Sequence, residues 1–143
     1  MRKLLYGFMI VVVLCGLGGC ASKDKDEARP TSSDIKEIKL ACAQMCKEME
    51  SPPFDEKLIT AEDDIEAFAN AMNNAEKMAG VLDYGVIFNM AITYENGSEE
   101  RYVLNIDNDE NSVGLLVNLN DSGQGYTISE QATRMLRTII YGK

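Results

Sequence analysis

The chain has 143 residues, with 14 Lys+Arg against 23 Asp+Glu, a formal charge of −9, and neither histidine nor tryptophan. Without histidine it cannot supply, from its own residues, a Ser-His-Asp triad, a Cys-His pair or a His-based zinc site. An acidic balance also argues against nucleic-acid binding, which needs basic surface to neutralise phosphates.

Met1-Arg2-Lys3 begins the chain, followed by an apolar run over residues 4–17. As a helix that run reaches roughly 21 Å, too short for a hydrocarbon core of about 30 Å. A basic start, a short apolar stretch and small residues at a cleavage point are the parts of a secretory signal. Leu17-Gly18-Gly19-Cys20 resembles the lipobox of bacterial lipoproteins: an aliphatic residue, two small ones and the cysteine. That resemblance implies a diacylglycerol on the Cys20 thiol and cleavage just before it. The competing reading is an ordinary secretory signal in which Cys20 is incidental. Cys15 is a poor rival because the bulky Leu14 precedes it. Loss of residues 1–19, which hold two basic and no acidic side chains, brings the net charge to −11. Such a balance suits solubility, a cationic ligand or a basic partner.

Residues 21–33, "ASKDKDEARPTSS", lack aromatics and large aliphatics and are expected to form a flexible tether. Thirteen such residues reach about 45 Å fully stretched and about 20 Å on average. Residues 34–143 have the size of one domain. Within them, residues 34–50 are ambiguous. Ile35, Ile38, Cys42, Met45 and Met49 fit a helical stripe, whereas Ile38, Leu40 and Cys42 fit an alternating strand. Ser51-Pro52-Pro53 ends either element, and residues 57–60 read as a short strand. Thr60 is the expected N-cap of a helix carrying Ile65, Phe68, Ala69 and Met72 on one face, with Gly80 placed to terminate it. The acids Glu62, Asp63, Asp64 and Glu66 favour the positive end of that helix's dipole.

Val86, Phe88, Met90, Ile92 and Tyr94 then alternate as a strand, as do Tyr102, Leu104 and Ile106 beyond a turn. A two-residue Asn96-Gly97 loop would put the second apolar set on the wrong face. A three-residue loop, Glu95-Asn96-Gly97 with Gly97 left-handed, pairs Met90 with Tyr102, Phe88 with Leu104 and Val86 with Ile106, and is preferred. Val113, Leu115, Val117 and Leu119 predict a further strand, and Tyr126 and Ile128 another. Ser129 caps a last helix with Ala132, Met135, Leu136, Ile139 and Ile140 on its apolar face and Arg134 and Arg137 on its outer side. The fold class is thus α+β: a mostly antiparallel sheet of about five or six strands with two helices packed on one face, in the order β-β-α-β-β-β-β-α.

The phrases "AEDDIEAFANAMNNAEKMAGVLD" and "GYTISEQATRMLRTII" resemble the YhfM-like domain of small Bacillus-type lipoproteins. The matching residues are Asn74-Ala75, Lys77, Gly80, Asp83 and Tyr126 to Ser129. The resemblance implies a strand rather than a helix around residues 35–42 and a firmicute-type envelope. It brings no catalytic residues.

Three constellations remain. Cys42 and Cys46 are the thiols left after lipidation; in a strand they would lie about 13 Å apart, beyond the roughly 7 Å a disulfide tolerates. A bridge between them needs a helix or turn around residues 43–45, and inert apolar cysteines are the favoured reading over a bridge or a redox role. Asp107, Asp109 and Asn111 sit at positions one, three and five of a calcium-loop pattern, but Ser112 replaces its glycine, Asn118 its glutamate, and a turn-rich hairpin connection explains the run better. Asn89, Asn105, Asn118 and Asn120 are expected on the sheet face away from the helices, as a solvated face or a polar surface for glycan or peptide.

The expected protein is a binding module without catalysis or cofactor. It is held on the outer face of the cytoplasmic membrane through its lipid anchor, and engages an envelope protein or glycan but no nucleic acid. A calcium-dependent structural or sensing role through residues 107–111 and a thiol redox role for Cys42 and Cys46 are the alternatives.

Overall fold

The computed structural model describes residues 31–80 and 82–142. Cys20, the signal segment and the tether as far as residue 30 lie outside the described residues. After a 3-10 turn at Ser32–Asp34 come β1 (Ile35–Cys42), α1 (Gln44–Lys47), β2 (Glu56–Ile59), α2 (Glu62–Asn73) and β3 (Glu76–Lys77). They are followed by β4 (Phe88–Tyr94), β5 (Glu99–Asn105), β6 (Leu115–Asn118), β7 (Gly125–Thr127) and α3 (Glu130–Tyr141). The seven strands form one antiparallel sheet in the order β2-β1-β4-β5-β6-β7-β3.

One face of this sheet carries Ile38, Leu40, Phe88, Met90, Ile92, Leu104 and Leu116, all buried with Phe68 of α2 and Leu136 and Ile140 of α3. Phe88 is fully buried, stacked on Phe54 at 5.4 Å and edge-on to Tyr141 at 6.2 Å between ring centroids. Period-two alternation in the strands and the 3.6-residue stripe of the helices both deliver apolar side chains to this layer.

The β4–β5 hairpin has the expected register, with Phe88 opposite Leu104 and Met90 opposite Tyr102. Tyr94 N–H donates to the Ser98 carbonyl, leaving a three-residue loop in which Gly97 has φ +84. Val86 and Ile106 do not pair. Instead the Asn105 side chain takes over the ladder: Oδ1 accepts from Ile87 N–H at 2.8 Å and Nδ2 donates to the Gly85 carbonyl at 2.6 Å. The amide thereby satisfies backbone groups that the departing strand leaves open.

Several elements differ from expectation. The sheet has seven strands rather than five or six, because the two-residue β3 pairs with β7, and a third, one-turn helix, α1, follows β1. The N-cap of α2 is Ala61 rather than Thr60 and makes no side-chain cap, while the three acids Glu62, Asp63 and Asp64 fill the first turn. This helix ends at Asn73, well before Gly80, since Ala75 already leads into β3. β6 is shorter than the alternation implied: Val113 and Leu119 are exposed, and Leu116 rather than Leu115 enters the helix-side core. Ser129 caps α3 as expected, accepting from Ala132 N–H, but Arg137 is buried, not outward.

On the face away from the helices, the chain between β3 and β4 lies over the β6–β7 end. A Cβ on Gly125 would come within 2.7 Å of Leu82 Cδ1 and 3.1 Å of Leu115 Cδ1, so a side chain there would require Leu82 to shift. Val103 and Val117, in the same cross-strand row as Gly125, are buried there.

Candidate functional site

Four places in the fold gather chemistry-bearing side chains, and the first is the end of β1. Cys42 closes the strand, Ala43 is extended, and the chain turns at once into α1. This change of direction brings the Cα atoms of Cys42 and Cys46 to 5.3 Å, and the two form a disulfide. The favoured expectation of inert free thiols is therefore corrected: the strand geometry that would separate them stops at Cys42 itself. Both residues are buried in the core, so the bridge pins α1 to the sheet end.

The second place is the β5–β6 connection. Asp107 Oδ1 accepts from Asp109 N–H at 2.9 Å and also from the Ser112 hydroxyl. Asp109 Oδ1 accepts from both Asn111 N–H and Asn111 Nδ2, at 2.9 and 3.2 Å. These carboxylates thus hold the loop's own backbone, as Asx turns do. A cation is already present in the form of Arg137. Its Nε donates to the Asp107 carbonyl at 2.9 Å, and its Nη2 donates to the Ser112 carbonyl and hydroxyl at 3.1 and 3.2 Å. Among the described residues no group of three or more His, Cys, Asp or Glu is arranged to hold a metal ion. Tyr141 adds a bond from its hydroxyl to the Ile106 carbonyl at 2.8 Å. Burial first, then the charge of Asp107, pushes its pKa up to about 12, with Arg137 opposing. The helical stripe pattern missed Arg137 because periodicity tracks apolar residues. Its neighbour one turn back, Thr133, is also buried and bonds Gly114 N–H, so a polar seam runs beside the apolar one.

The third place is a carboxylate shared by two phenols. Tyr94 and Tyr102 both donate to Glu100 Oε2, at 2.7 and 2.6 Å. Burial, then the hydrogen bond and charge of Glu100 and the charge of Asp34, raise the pKa of Tyr94. The cluster ties the ends of β4 and β5 together.

The fourth is the open half of the outer sheet face, over β1, β4 and β5. Cross-strand register orders it into rows. Glu37, Thr93 and Glu99 form one, and Lys39, Ala91 and Arg101 the next. Leu58 extends the second row on β2. A shallow depression of about 340 Å³ lies here, lined by Lys39, Ala41, Asn89, Ala91, Arg101 and Leu119, with Glu99 at its rim. Ala91 lies between the two long cations in their row, and Ala41 sits opposite Asn89 in the next row. Lys39 pairs with Glu56 at 3.7 Å and Arg101 with Glu99 at 2.7 Å, all exposed. Of the four asparagines expected on this face, only Asn89 lines the depression. Asn105 bridges backbone as described, Asn118 sits opposite the inward Tyr102 and accepts from Asn120 N–H, and Asn120 lies in the turn that follows.

A seven-stranded antiparallel sheet backed by helices, with an open mixed-charge face, defines an α+β module whose exposed surface lies on its sheet. The YhfM protein family profile matches residues 43–143, which takes in every element from α1 onward, and the chain belongs to that family. No curated protein and no solved structure matches the chain. Among the described residues no helix is long and apolar enough to cross a membrane.

Proposed function

We propose that the chain is a lipid-anchored interaction module of the bacterial cell envelope, held through Cys20 on the outer face of the cytoplasmic membrane, most consistently in a firmicute-type envelope. It acts by binding rather than by turnover. The observation that carries this reading is the division of the outer sheet face. One half is sealed by Leu82 over Gly125, while the other is left open with Lys39, Asn89, Glu99 and Arg101 around an alanine floor. Charged ends and an amide above small side chains suit the holding of a polar surface. A basic start, an apolar stretch and Leu17-Gly18-Gly19-Cys20 support the anchor.

The test is a photo-crosslinking residue placed at Ala91 in the open half, or at the exposed Glu66 of α2, in the full chain in living cells. The reading expects adducts from position 91 and none from position 66. Equal adducts from both positions, or adducts from 66 alone, would overturn the assignment of the face.

A further inference from the structure

The two rows of the open face have opposite charge. Glu37 and Glu99 flank Thr93, and Lys39 and Arg101 flank Ala91. Two residues along the strands separate the rows, about 7 Å, and two strand spacings separate the charges within a row, about 10 Å. Consider a second copy laid face to face, related by a two-fold axis in the plane of the face, perpendicular to β4 and passing between Ala91 and Thr93. Every residue of one row then meets the other row of the partner at the same strand. Lys39 faces the position of Glu37, Arg101 faces that of Glu99, and Ala91 faces that of Thr93. Symmetry doubles the two ion pairs to four. The alternative two-fold axis, running along β4, sets Lys39 against Arg101 and Glu37 against Glu99, and so repels. Of these two orientations only the first is self-complementary in charge.

We propose that the open outer face pairs with a second copy of this chain in that orientation. The inference rests on the reading that this face is the working surface, and names its partner. The chemistry of the face favours a copy over other occupants. A polyanion would meet Glu37, Glu56 and Glu99 on a chain of formal charge −9, and a polycation would meet Lys39 and Arg101. A surface of the same alternation satisfies both rows. The small Ala41, Ala91 and Thr93 let two sheets approach, and packed antiparallel sheets tolerate this alignment with a rotation of about 30°. The exposed Leu58 and Leu119 lie beyond the two ends of the basic row and add apolar area at its flanks. No large apolar centre is present, so the pairing is electrostatic in selectivity and modest in strength. At about 0.15 M salt the repulsion between the two acidic bodies is screened beyond roughly 8 Å, while facing side chains in contact still attract.

The experiment uses full-length chains carrying two different tags, co-produced in one membrane and extracted in mild detergent at about 0.15 M salt. Wild-type copies are expected to co-purify. Lys39→Glu with Arg101→Glu makes both rows acidic, and Glu37→Lys with Glu99→Lys makes both rows basic, with Glu56 left unchanged beside Lys39. Each double variant is expected to lose self-association by about tenfold or more. The acidic and basic variants mixed together are expected to recover it, which also shows that both fold. Failure of wild-type copies to co-purify overturns the proposal, as does undiminished self-association of the acidic variant or a mixed pair that does not recover. The crosslinker at position 91 separates this failure from that of the broader reading. Adducts to a different protein, without charge-dependent self-association, leave the face a working surface and remove the copy as its partner; no adducts and no self-association remove both.

Discussion

The two faces of the sheet are built from the same strands and do opposite things. The helix-side face alternates Ile38, Leu40, Phe88, Met90 and Leu104 into a sealed layer, and the residues between them supply Lys39, Ala41, Asn89, Ala91 and Arg101 to water. A one-residue shift of any strand would exchange the two sets, so the apolar face fixes the register and thereby sets out the charged rows on the other side. Buried apolar area is concentrated on the helix side, and the open half of the other face is left to small, polar and charged side chains.

Substitutions should break this contrast in graded fashion. Phe88→Ala removes a fully buried ring from between Phe54 and Tyr141 and is expected to cost about 4 kcal/mol in denaturant unfolding, whereas Ala91→Ser, next door on the open face, should stay within about 0.5 kcal/mol. Arg137→Met leaves the Asp107 and Ser112 carbonyls without their donors and should cost about 2 to 3 kcal/mol in the same measurement. Replacing Cys42 and Cys46 together by alanine opens a very short loop, for which chain entropy alone predicts a loss of about 2 kcal/mol, read by comparing the melts of variant and oxidised wild type.

Tyr141 gives a pH signature. Its native pKa of about 12 lies above the unfolded value of about 10, so the folded state holds this proton more tightly. Its contribution is complete below about pH 10 and is lost as pH rises through about 12. The raised pKa of Tyr94 acts in the same direction. Tyr141→Phe should therefore be slightly less stable at neutral pH, having lost its bond to the Ile106 carbonyl, yet decline less steeply between pH 10 and 12. The smallest effect concerns calcium. With the Asp107 and Asp109 carboxylates committed to their own loop, and Arg137 on its carbonyls, addition of about 1 mM calcium or of chelator should leave the melting temperature unchanged. A clear upward shift would revive residues 107–111 as a metal site.

The hairpin shows how far alternation alone reaches. Two apolar sets that had to share one face allowed only the three-residue loop, and the register of Met90 with Tyr102 followed. Ser129 was legible for a similar reason, since a capping hydroxyl directly precedes a strong stripe. What escaped were features decided by tertiary partners. β3 is two residues long, with both side chains exposed, and exists because β7 offers it an edge. The disulfide needed a switch from strand to helix at residue 43, which no local preference specifies. Val117 looked like a core residue and is one, but on the face closed by Leu82 rather than by helices. At the candidate site the asparagines stood out as polar, while the cross-strand rows of Lys39, Arg101, Glu37 and Glu99 became visible only once three strands were set side by side.

The proposed role requires the open face to be displayed outside the cell on a lipid leash. Intact-mass and peptide-mass measurement of the chain taken from its native membrane tests this most directly. The result expected is a mature chain beginning at Cys20 and heavier by a thioether-linked diacylglycerol. A bare Cys20, or a chain still carrying residues 1–19, would contradict it.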